Sequence, residues 1–169
     1  MTKTPVARLR VVLLAAFLLC FPAATRADEV LLEGGPGFYK SYNSEAVFLR
    51  YQKYVSPFFG LGSYYSPALA TWSGPTRNNA VILTKGFRWY MTESVHCDFE
   101  GGGAYVDRTT QNLGTHLQFA FRVALGMKAG AFDLGLGYNH FSNGKGVFQW
   151  TKTANLSENF VSLHAGYQF

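Results

Sequence analysis

The sequence has 169 residues, which fits one domain; aromatic residues make up 17% of it, charged residues only 15%, and glycine occurs 18 times. The formal net charge is +5, but four of the 15 basic residues lie within the first 26 positions, so the 11 that follow are almost balanced by 10 acidic residues. This balance excludes the broad basic surface of a nucleic-acid-binding protein, and no nucleic-acid partner is expected.

The first predicted element is a secretory signal peptide at 1–27, removed from the mature protein. Three basic residues precede its apolar run: Lys3, Arg8 and Arg10. The run, at 11–22, is too short for a membrane helix, and small residues flank Arg26 at the expected cleavage site. We therefore expect one domain at 28–169, in which Cys97 is the sole cysteine and no intrachain disulfide forms.

Eight segments of alternating apolar and polar residues follow, and each predicts a β-strand. They lie at 30–40, 45–54, 58–66, 79–91, 95–106, 115–128, 131–142 and 158–169. The sixth shows the pattern most clearly, with Leu117, Phe119 and Phe121 on one face and Gln118 and Arg122 on the other. The fold class is therefore all-β.

Two all-β folds present such faces: a soluble β-sandwich and an eight-stranded antiparallel transmembrane β-barrel of the outer membrane. Three observations favour the barrel. The polar faces carry small residues that suit a narrow lumen: Gly34, Gly86, Gly102, Gly126, Gly135 and Gly137. Aromatic residues lie near the strand ends, as in an interface girdle: Tyr42, Trp72, Trp89, Tyr105, Tyr138 and Trp150. The last strand ends in Phe169, like the terminal strands of outer-membrane proteins.

The lengths of the connections predict the orientation of the barrel, because outer-membrane barrels have long external loops and short periplasmic turns. With both termini periplasmic, the external connections are 41–44, 67–78, 107–114 and 143–157, and the turns are 55–57, 92–94 and 129–130. The seventh strand then runs outwards. His140 and Ser142, which continue its apolar face, lie at its outer end at the depth of lipid headgroups.

The His140–Ser142 pair has the composition of a nucleophile and its base. Serine attacks an ester only when a base takes its proton, and histidine is the usual base near neutral pH. A spacing of two residues places both side chains on one face of a strand. Asn143 and Asn155 are available hydrogen-bond donors for an oxyanion. The other reading is a polar pair in an interface belt.

At these residues the sequence resembles the PagL-type lipid A 3-O-deacylases. The resemblance is carried by His140–Asn143, which reads His-Phe-Ser-Asn, by the loop to Asn155 and by the terminal strand. It is weaker from about Asn79 onwards, and the first two strands match only in character. It implies an eight-stranded outer-membrane barrel whose external site hydrolyses the 3-position acyl ester of lipid A.

The resemblance also implies roles for particular residues. His140 corresponds to the general base of the family, Ser142 to the nucleophile and Asn143 to an oxyanion donor, whereas Asn155 matches a second asparagine of the loop. The family pattern has a glycine two residues after that asparagine and an acid or amide four residues after it. In this chain Ser157 replaces the glycine, and the fourth position is Asn159.

Two residues are candidates for the third catalytic position, Asn159 and the carboxylate next to it, Glu158. Strand alternation places Asn159 on the lipid-facing side, which His140 and Ser142 share, and Glu158 in the lumen. Alternation therefore favours Asn159, and an asparagine does orient the histidine in papain-like proteases.

The expected partners are lipopolysaccharide, through its lipid A, and the outer membrane; a homodimer is left open. We find no motif for a cofactor or a metal ion. His96, Asp98 and Glu100 alternate as ligands could, but their predicted lumen position beside Arg88 and Arg122 favours ion pairing. Two other functions remain, a non-catalytic structural or adhesive barrel and an enzyme that transfers the acyl chain to another lipid.

Overall fold

The structure is a computed structural model that describes residues 28–145 and 156–169. The described residues form a closed antiparallel barrel of eight strands. The strands are β1 Glu29–Pro36, β2 Glu45–Phe58, β3 Leu61–Trp72, β4 Asn78–Tyr90, β5 Val95–Val106, β6 Leu117–Ala129, β7 Phe132–Ser142 and β8 Glu158–Gln168. The predicted signal peptide lies outside the described residues. Within the same ranges, no helix is long and apolar enough to cross a membrane.

Pairing between β1 and β8 closes the barrel, with Glu29 opposite Gln168 and Gly34 opposite Leu163. All the remaining pairings join strands that are consecutive in the sequence. Closure leaves no unpaired sheet edge, which is the condition for a β-structure in lipid, where unpaired backbone N–H and C=O groups are costly.

The connections differ in length at the two ends of the barrel. Segments 37–44, 73–77 and 107–116 lie at one end, together with the two described ends of the 143–157 connection, and we call it the long-loop end. Tight turns at 59–60, 91–94 and 130–131 lie at the other end, together with Asp28 and Phe169. The asymmetry is the one predicted from the sequence, and it places the outer ends of β7 and β8 beside the longest connection.

The alternation along each strand separates an apolar outer face from a polar inner face. Leu117 and Leu163 are 72% and 68% exposed on the outside, as side chains that meet lipid should be. Arg50, Arg88 and Arg122 are at most 2% exposed inside. Small residues make room for large ones, since a β-carbon on Gly86 would lie 2.2 Å from the Tyr64 ring.

The middle of the lumen contains a network of ion pairs. The Arg50 guanidinium lies 2.6 Å from Glu33 and 3.1 Å from Glu100. Arg122 lies 2.9 Å from the same Glu33 and 3.0 Å from the same Glu100. Arg88 continues the network towards the short-turn end with pairs to three carboxylates, namely Asp98 at 2.7 Å, Glu29 at 2.9 Å and Asp133 at 3.3 Å. Opposite charges on neighbouring polar faces thus neutralise one another.

An apolar cluster fills the lumen at the long-loop end. The Phe141 ring lies 6.2 Å from Phe48, 5.6 Å from Trp72 and 6.5 Å from Phe160, measured between ring centroids. Trp72 was expected in an interface girdle, and this expectation is wrong. Its side chain is 1% exposed, and its indole N–H donates a 2.8 Å hydrogen bond to the carbonyl oxygen of Thr76.

Three predicted strands differ from the observed strands by three or more residues at an end. The first ends at Pro36 rather than at Lys40, because the chain turns into a 3₁₀ turn at Tyr39–Ser41. The second ends at Phe58 rather than at Tyr54. The third runs to Trp72 rather than ending before Pro67. Proline has no N–H for a sheet, and the pairing of β3 with β2 is interrupted beside it. The pairing with β4 continues there, with Pro67 opposite Leu83, so the strand persists on that side.

Candidate active site

Two residues of the predicted site lie on the outer face of β7, close to the long-loop end. His140 and Ser142 are both half-buried, and Phe141 between them points into the lumen. On one side, β6 places Phe121 opposite His140 and Phe119 opposite Ser142. Among the described residues, no hydrogen bond joins the Ser142 hydroxyl to the imidazole. The histidine is instead held from the other side, by β8.

Asn159 of β8 lies directly opposite His140. The Nδ1 atom of His140 is 2.8 Å from Oδ1 of Asn159, whose side chain is on the same outer face. A carbonyl oxygen only accepts hydrogen bonds, so Nδ1 is the protonated nitrogen that donates to it. The other ring nitrogen, Nε2, then carries a lone pair and is able to accept a proton.

Asn159 is fixed by further hydrogen bonds of its side chain and its backbone. The Tyr138 hydroxyl donates to Oδ1 at 2.6 Å, so this oxygen accepts from two donors at once. The side-chain amide donates to the Ser157 hydroxyl at 3.1 Å. The backbone N–H donates to the Ser41 hydroxyl at 2.9 Å. Asn159 is 4% exposed, and its position is therefore determined by both the strand and the segment 37–44 that packs over it.

Glu158, the other candidate for the third position, points into the lumen. It is fully buried, and its Oε1 accepts a 3.1 Å hydrogen bond from the side-chain amide of Asn112. Neighbouring side chains of a strand point to opposite faces of the sheet, so Glu158 contacts the loop at 107–116 rather than the imidazole. The structure brings Asn159 to His140 and leaves Glu158 on the far side of the barrel wall.

Of the two asparagines expected to stabilise an oxyanion, Asn143 lies within the described residues. Asn143 follows Ser142 directly, is 2% exposed, and accepts a 3.1 Å hydrogen bond from the Lys145 backbone N–H through its Oδ1. Gly144 between them has a φ of +70°, which is the conformation that favours glycine. The chain therefore turns sharply directly after the serine. Asn155 lies outside the described residues.

Sequence reasoning missed three contacts of Asn159. Tyr138 was interpreted as a girdle aromatic, although its position two residues before His140 places it on the same face. Ser41 precedes β2 in a segment with no periodic pattern, so no sequence signal links it to β8. Ser157 was noted only as a departure from the family pattern, without a role.

An apolar groove runs along the outer wall next to these residues. It has a volume of about 740 Å³ and is lined by Gly101 and Gly103 at its floor and by Leu83, Phe119 and Phe121 among its walls. The glycines create the groove because they leave the outer face of β5 without side chains at two successive outward positions. Since Phe119 and Phe121 pair with Ser142 and His140, the groove ends beside the candidate pair.

The alternating polar residues of β5 belong to the ion-pair network rather than to the site. Asp98 pairs with Arg88 at 2.7 Å and Glu100 pairs with Arg122 at 3.0 Å. The His96 imidazole lies 3.2 Å from Asp133. Within residues 28–145 and 156–169, no cluster of three or more His, Cys, Asp or Glu side chains is arranged to hold a metal ion.

Comparison with known families gives a match to the model of the lipid A 3-O-deacylase (PagL) family over residues 41–168. The match includes β2 to β8 and all the candidate site residues. A comparison with curated proteins finds no significant match.

Solved structures with the same fold include the outer-membrane enzyme PagL, with 20% sequence identity and a TM-score of 0.65 over 82% of this chain and 98% of that chain. A de novo designed transmembrane β-barrel is similar with 11% identity and a TM-score of 0.59, over 88% of this chain and all of the design. The Yersinia pestis outer-membrane protein Ail is similar with 14% identity and a TM-score of 0.55, over 85% of this chain and 99% of Ail. At such low identities the similarity is one of fold.

Proposed function

This chain belongs to the lipid A 3-O-deacylase (PagL) family and is an outer-membrane β-barrel, and from this premise we propose that it hydrolyses the acyl ester at the 3-position of lipid A by a serine mechanism. The observation that carries the mechanism is the 2.8 Å contact between His140 Nδ1 and Asn159 Oδ1. This hydrogen bond keeps the ring hydrogen on Nδ1 and leaves Nε2 free to act as the base, on the face of β7 that Ser142 shares.

In the proposed first step, the Ser142 hydroxyl oxygen attacks the ester carbonyl carbon and its proton passes to His140 Nε2. The tetrahedral intermediate carries its negative charge on the former carbonyl oxygen, where the Asn143 side chain, and Asn155 from the long loop, supply hydrogen-bond donors. The intermediate collapses when the bond to the sugar oxygen breaks, and His140 returns the proton to that oxygen. The acyl chain is then esterified to Ser142.

In the second step, water replaces the sugar. His140 Nε2 takes a proton from a water molecule, which attacks the acyl-serine carbonyl, and the bond to Ser142 breaks as the serine oxygen regains the proton. The products are a free 3-hydroxy fatty acid and lipid A with one acyl chain fewer. Throughout both steps Asn159 holds the imidazole by its Nδ1–H, and the Glu158 carboxylate stays within the lumen.

The surroundings of the site support an acyl ester in the outer leaflet as substrate. The site is on the lipid-facing wall near the long-loop end, at the depth where the ester bonds of a lipid meet its sugars. The groove over Gly101 and Gly103 offers an apolar surface for the released or neighbouring acyl chain, and it lies on the lipid-facing wall beside Ser142. A soluble ester would gain nothing from such a surface.

The test uses lipopolysaccharide and the barrel refolded in detergent, with lipid A analysed by mass spectrometry. The parent should remove one 3-hydroxy acyl chain, whereas Ser142→Ala and His140→Ala should each lower the rate by about 10³-fold or more. Ser73→Ala, an exposed serine in the 73–77 connection, is the matched control and should keep the parental rate.

Each contrary result has its own meaning. Full activity in Ser142→Ala would contradict the serine mechanism. No mass change with the parent would contradict deacylation and favour a structural or adhesive barrel. A newly acylated lipid in place of free fatty acid would identify an acyltransferase.

A further inference from the structure

The side-chain amide of Asn159 has an oxygen on one side and an NH₂ on the other, and which of the two faces His140 determines what the imidazole does. With the oxygen facing it, Nδ1 is protonated and Nε2 accepts a proton from serine. With the NH₂ facing it, Nδ1 becomes the acceptor, Nε2 carries the hydrogen, and the ring is unable to act as the base. A carboxylate has no such ambiguity, because both its oxygens accept.

A directed chain of hydrogen bonds fixes the amide with its oxygen towards His140. The chain starts at the Leu156 carbonyl oxygen, which only accepts hydrogen bonds, and the Ser157 hydroxyl lies 2.6 Å from it. The hydroxyl proton is therefore used there, and the Ser157 oxygen offers its lone pairs to the NH₂ of Asn159 at 3.1 Å. The Asn159 oxygen is left for the His140 Nδ1–H at 2.8 Å.

The opposite wall of the site is compatible with the same direction, since a phenol hydroxyl both donates and accepts hydrogen bonds. The Tyr138 hydroxyl is 2.6 Å from the Asn159 oxygen and donates to it. If the amide were reversed, its NH₂ would face a hydroxyl and a ring nitrogen, and its oxygen would face Ser157, whose proton already lies on the Leu156 carbonyl. The polarity set at Leu156 is thus transmitted through Ser157 and Asn159 to the imidazole.

The backbone at Ser157 is unusual for a serine. Its φ is +63°, in the left-handed region that glycine adopts without strain and that a side chain disfavours. The segment is held there by the Asn112 carbonyl oxygen, which accepts from the Leu156 N–H at 3.0 Å and from the Ser157 N–H at 3.2 Å. A glycine would fit this backbone better but would supply no hydroxyl, so the side chain is what the position gains from serine.

We propose that Ser157 is a positioning residue, which orients the Asn159 amide so that His140 keeps Nδ1 protonated and Nε2 free for catalysis. Ser157 and Asn159 form a unit that performs the orienting role of a carboxylate without a charge. This inference rests on the proposed function for its catalytic consequence, whereas the orientation of the amide and the state of the ring are independent of it.

The first measurement is the tautomer of His140, read from the ¹⁵N shifts of its ring in the refolded barrel and assigned by the signals that His140→Gln removes. The parent should show the tautomer protonated on Nδ1. Ser157→Ala and Ser157→Gly should both show a mixture with the tautomer protonated on Nε2. An unchanged tautomer in both variants overturns the proposal, whether or not the protein deacylates lipid A.

The second measurement is the rate of deacylation, which a failure of the proposed function alone would abolish in the parent. Ser157→Ala and Ser157→Gly should each lower kcat by about tenfold with little change in KM, since outer contacts of a catalytic histidine act on orientation. The glycine variant separates this role from backbone strain, which it relieves. A parental kcat in Ser157→Gly overturns the proposal.

The sharpest control is the Asn159→Asp background, in which the third residue keeps its shape but has no NH₂ to orient. There, adding Ser157→Ala should change kcat by less than about twofold, so the two substitutions are strongly non-additive. An equal loss in the two backgrounds would mean that the Ser157 hydroxyl acts elsewhere, and it would overturn the proposal. Ser73→Ala, outside the chain of hydrogen bonds, should leave both readouts unchanged.

Discussion

His140 receives its orientation from the amide of Asn159 rather than from a carboxylate. We expect this to make the chemical step slower. A carboxylate both holds the imidazole and stabilises the positive charge that develops when the ring takes a proton, whereas the Asn159 oxygen supplies a dipole only. The Tyr138 hydroxyl shares the same oxygen and lowers its capacity as an acceptor. At this single residue the proposed mechanism therefore implies a slower chemical step than a charged residue would give.

The roles of Asn159 and Glu158 are separated by parallel alanine substitutions. Asn159→Ala removes the acceptor of the His140 Nδ1–H, so we expect a loss of about 100-fold in kcat with KM little changed. Glu158→Ala removes a lumen contact with Asn112, so we expect kcat within about fivefold of the parent. Rates of lipid A deacylation, on protein shown to be folded by its heat-dependent shift in gel mobility, make the comparison.

The reverse order of effects would assign the third position to Glu158. Equal, small effects of both substitutions would mean that His140 needs no third residue. The hydrogen bond from Tyr138 to Asn159 would then have no part in catalysis.

The alternation of side chains along a strand predicts which site residues share a face, but not the contacts made by residues outside the strands. It places His140, Ser142 and Asn159 on one face, and the structure has all three there. It could not supply Ser157, because the contact depends on a left-handed backbone just before β8. It could not supply Ser41 either, because a 3₁₀ turn brings that hydroxyl to β8 across 118 residues of sequence.

At the scale of the strands, the outer ends of β7 and β8 are held from inside the barrel. Phe141 lies between His140 and Ser142 in the sequence, and Phe160 follows Asn159, so each neighbour of a site residue packs in the apolar cluster. The two faces of the same strands thus divide the work: the inner face fixes the backbone, and the outer face carries the polar side chains.

Phe141→Ala should therefore weaken both stability and activity. Removing the ring leaves a cavity beside Phe48 and Trp72. We therefore expect the free energy of unfolding, measured by urea titration, to fall by about 3–5 kcal/mol. The rate of deacylation should fall because the backbone between His140 and Ser142 loses its anchor. Phe132→Ala, at the other end of β7 on the outer face, is the matched control and should leave kcat unchanged. A destabilised Phe141→Ala with full activity would show that the cluster does not position the site.

The strand bounds show where local patterns were sufficient. The predicted fifth strand matches β5, and the seventh and eighth differ from β7 and β8 by one residue at a single end. The third was cut short at Pro67, because proline alone gives no sign that a strand continues on its other side. Trp72 was placed in the girdle for the same reason, since a residue assigned to a loop has no parity to follow.

The whole barrel depends on contacts that no local pattern reveals. Parity assigns each charge to the lumen but does not say which charges meet. In the structure, Arg88 reaches Glu29 across 59 residues of sequence, and Arg50 reaches Glu100 across 50. These pairs cross the lumen of the barrel that the pairing of β1 with β8 closes, so we expect the ionic network and closure of the barrel to support each other.

Arg88 is the residue at which this dependence is best tested. Its guanidinium is fully buried and pairs with Asp98, Glu29 and Asp133, so Arg88→Met would leave three carboxylates without their shared partner. Uncompensated charge in a closed lumen is costly, because neither water nor lipid replaces the lost cation. We expect the free energy of unfolding, measured by urea titration in lipid vesicles, to fall by about 3–5 kcal/mol.

Arg77→Met provides the control, since Arg77 is exposed in the 73–77 connection, and its removal should change stability by less than about 0.5 kcal/mol. A double variant that also carries Asp98→Asn should recover part of the loss, because it removes one of the charges left unpaired. Equal stability of Arg88→Met and Arg77→Met would mean that water in the lumen, rather than the ion pairs, solvates the carboxylates. In that case closure would be stabilised by the backbone hydrogen bonds between β1 and β8 and by the apolar cluster alone.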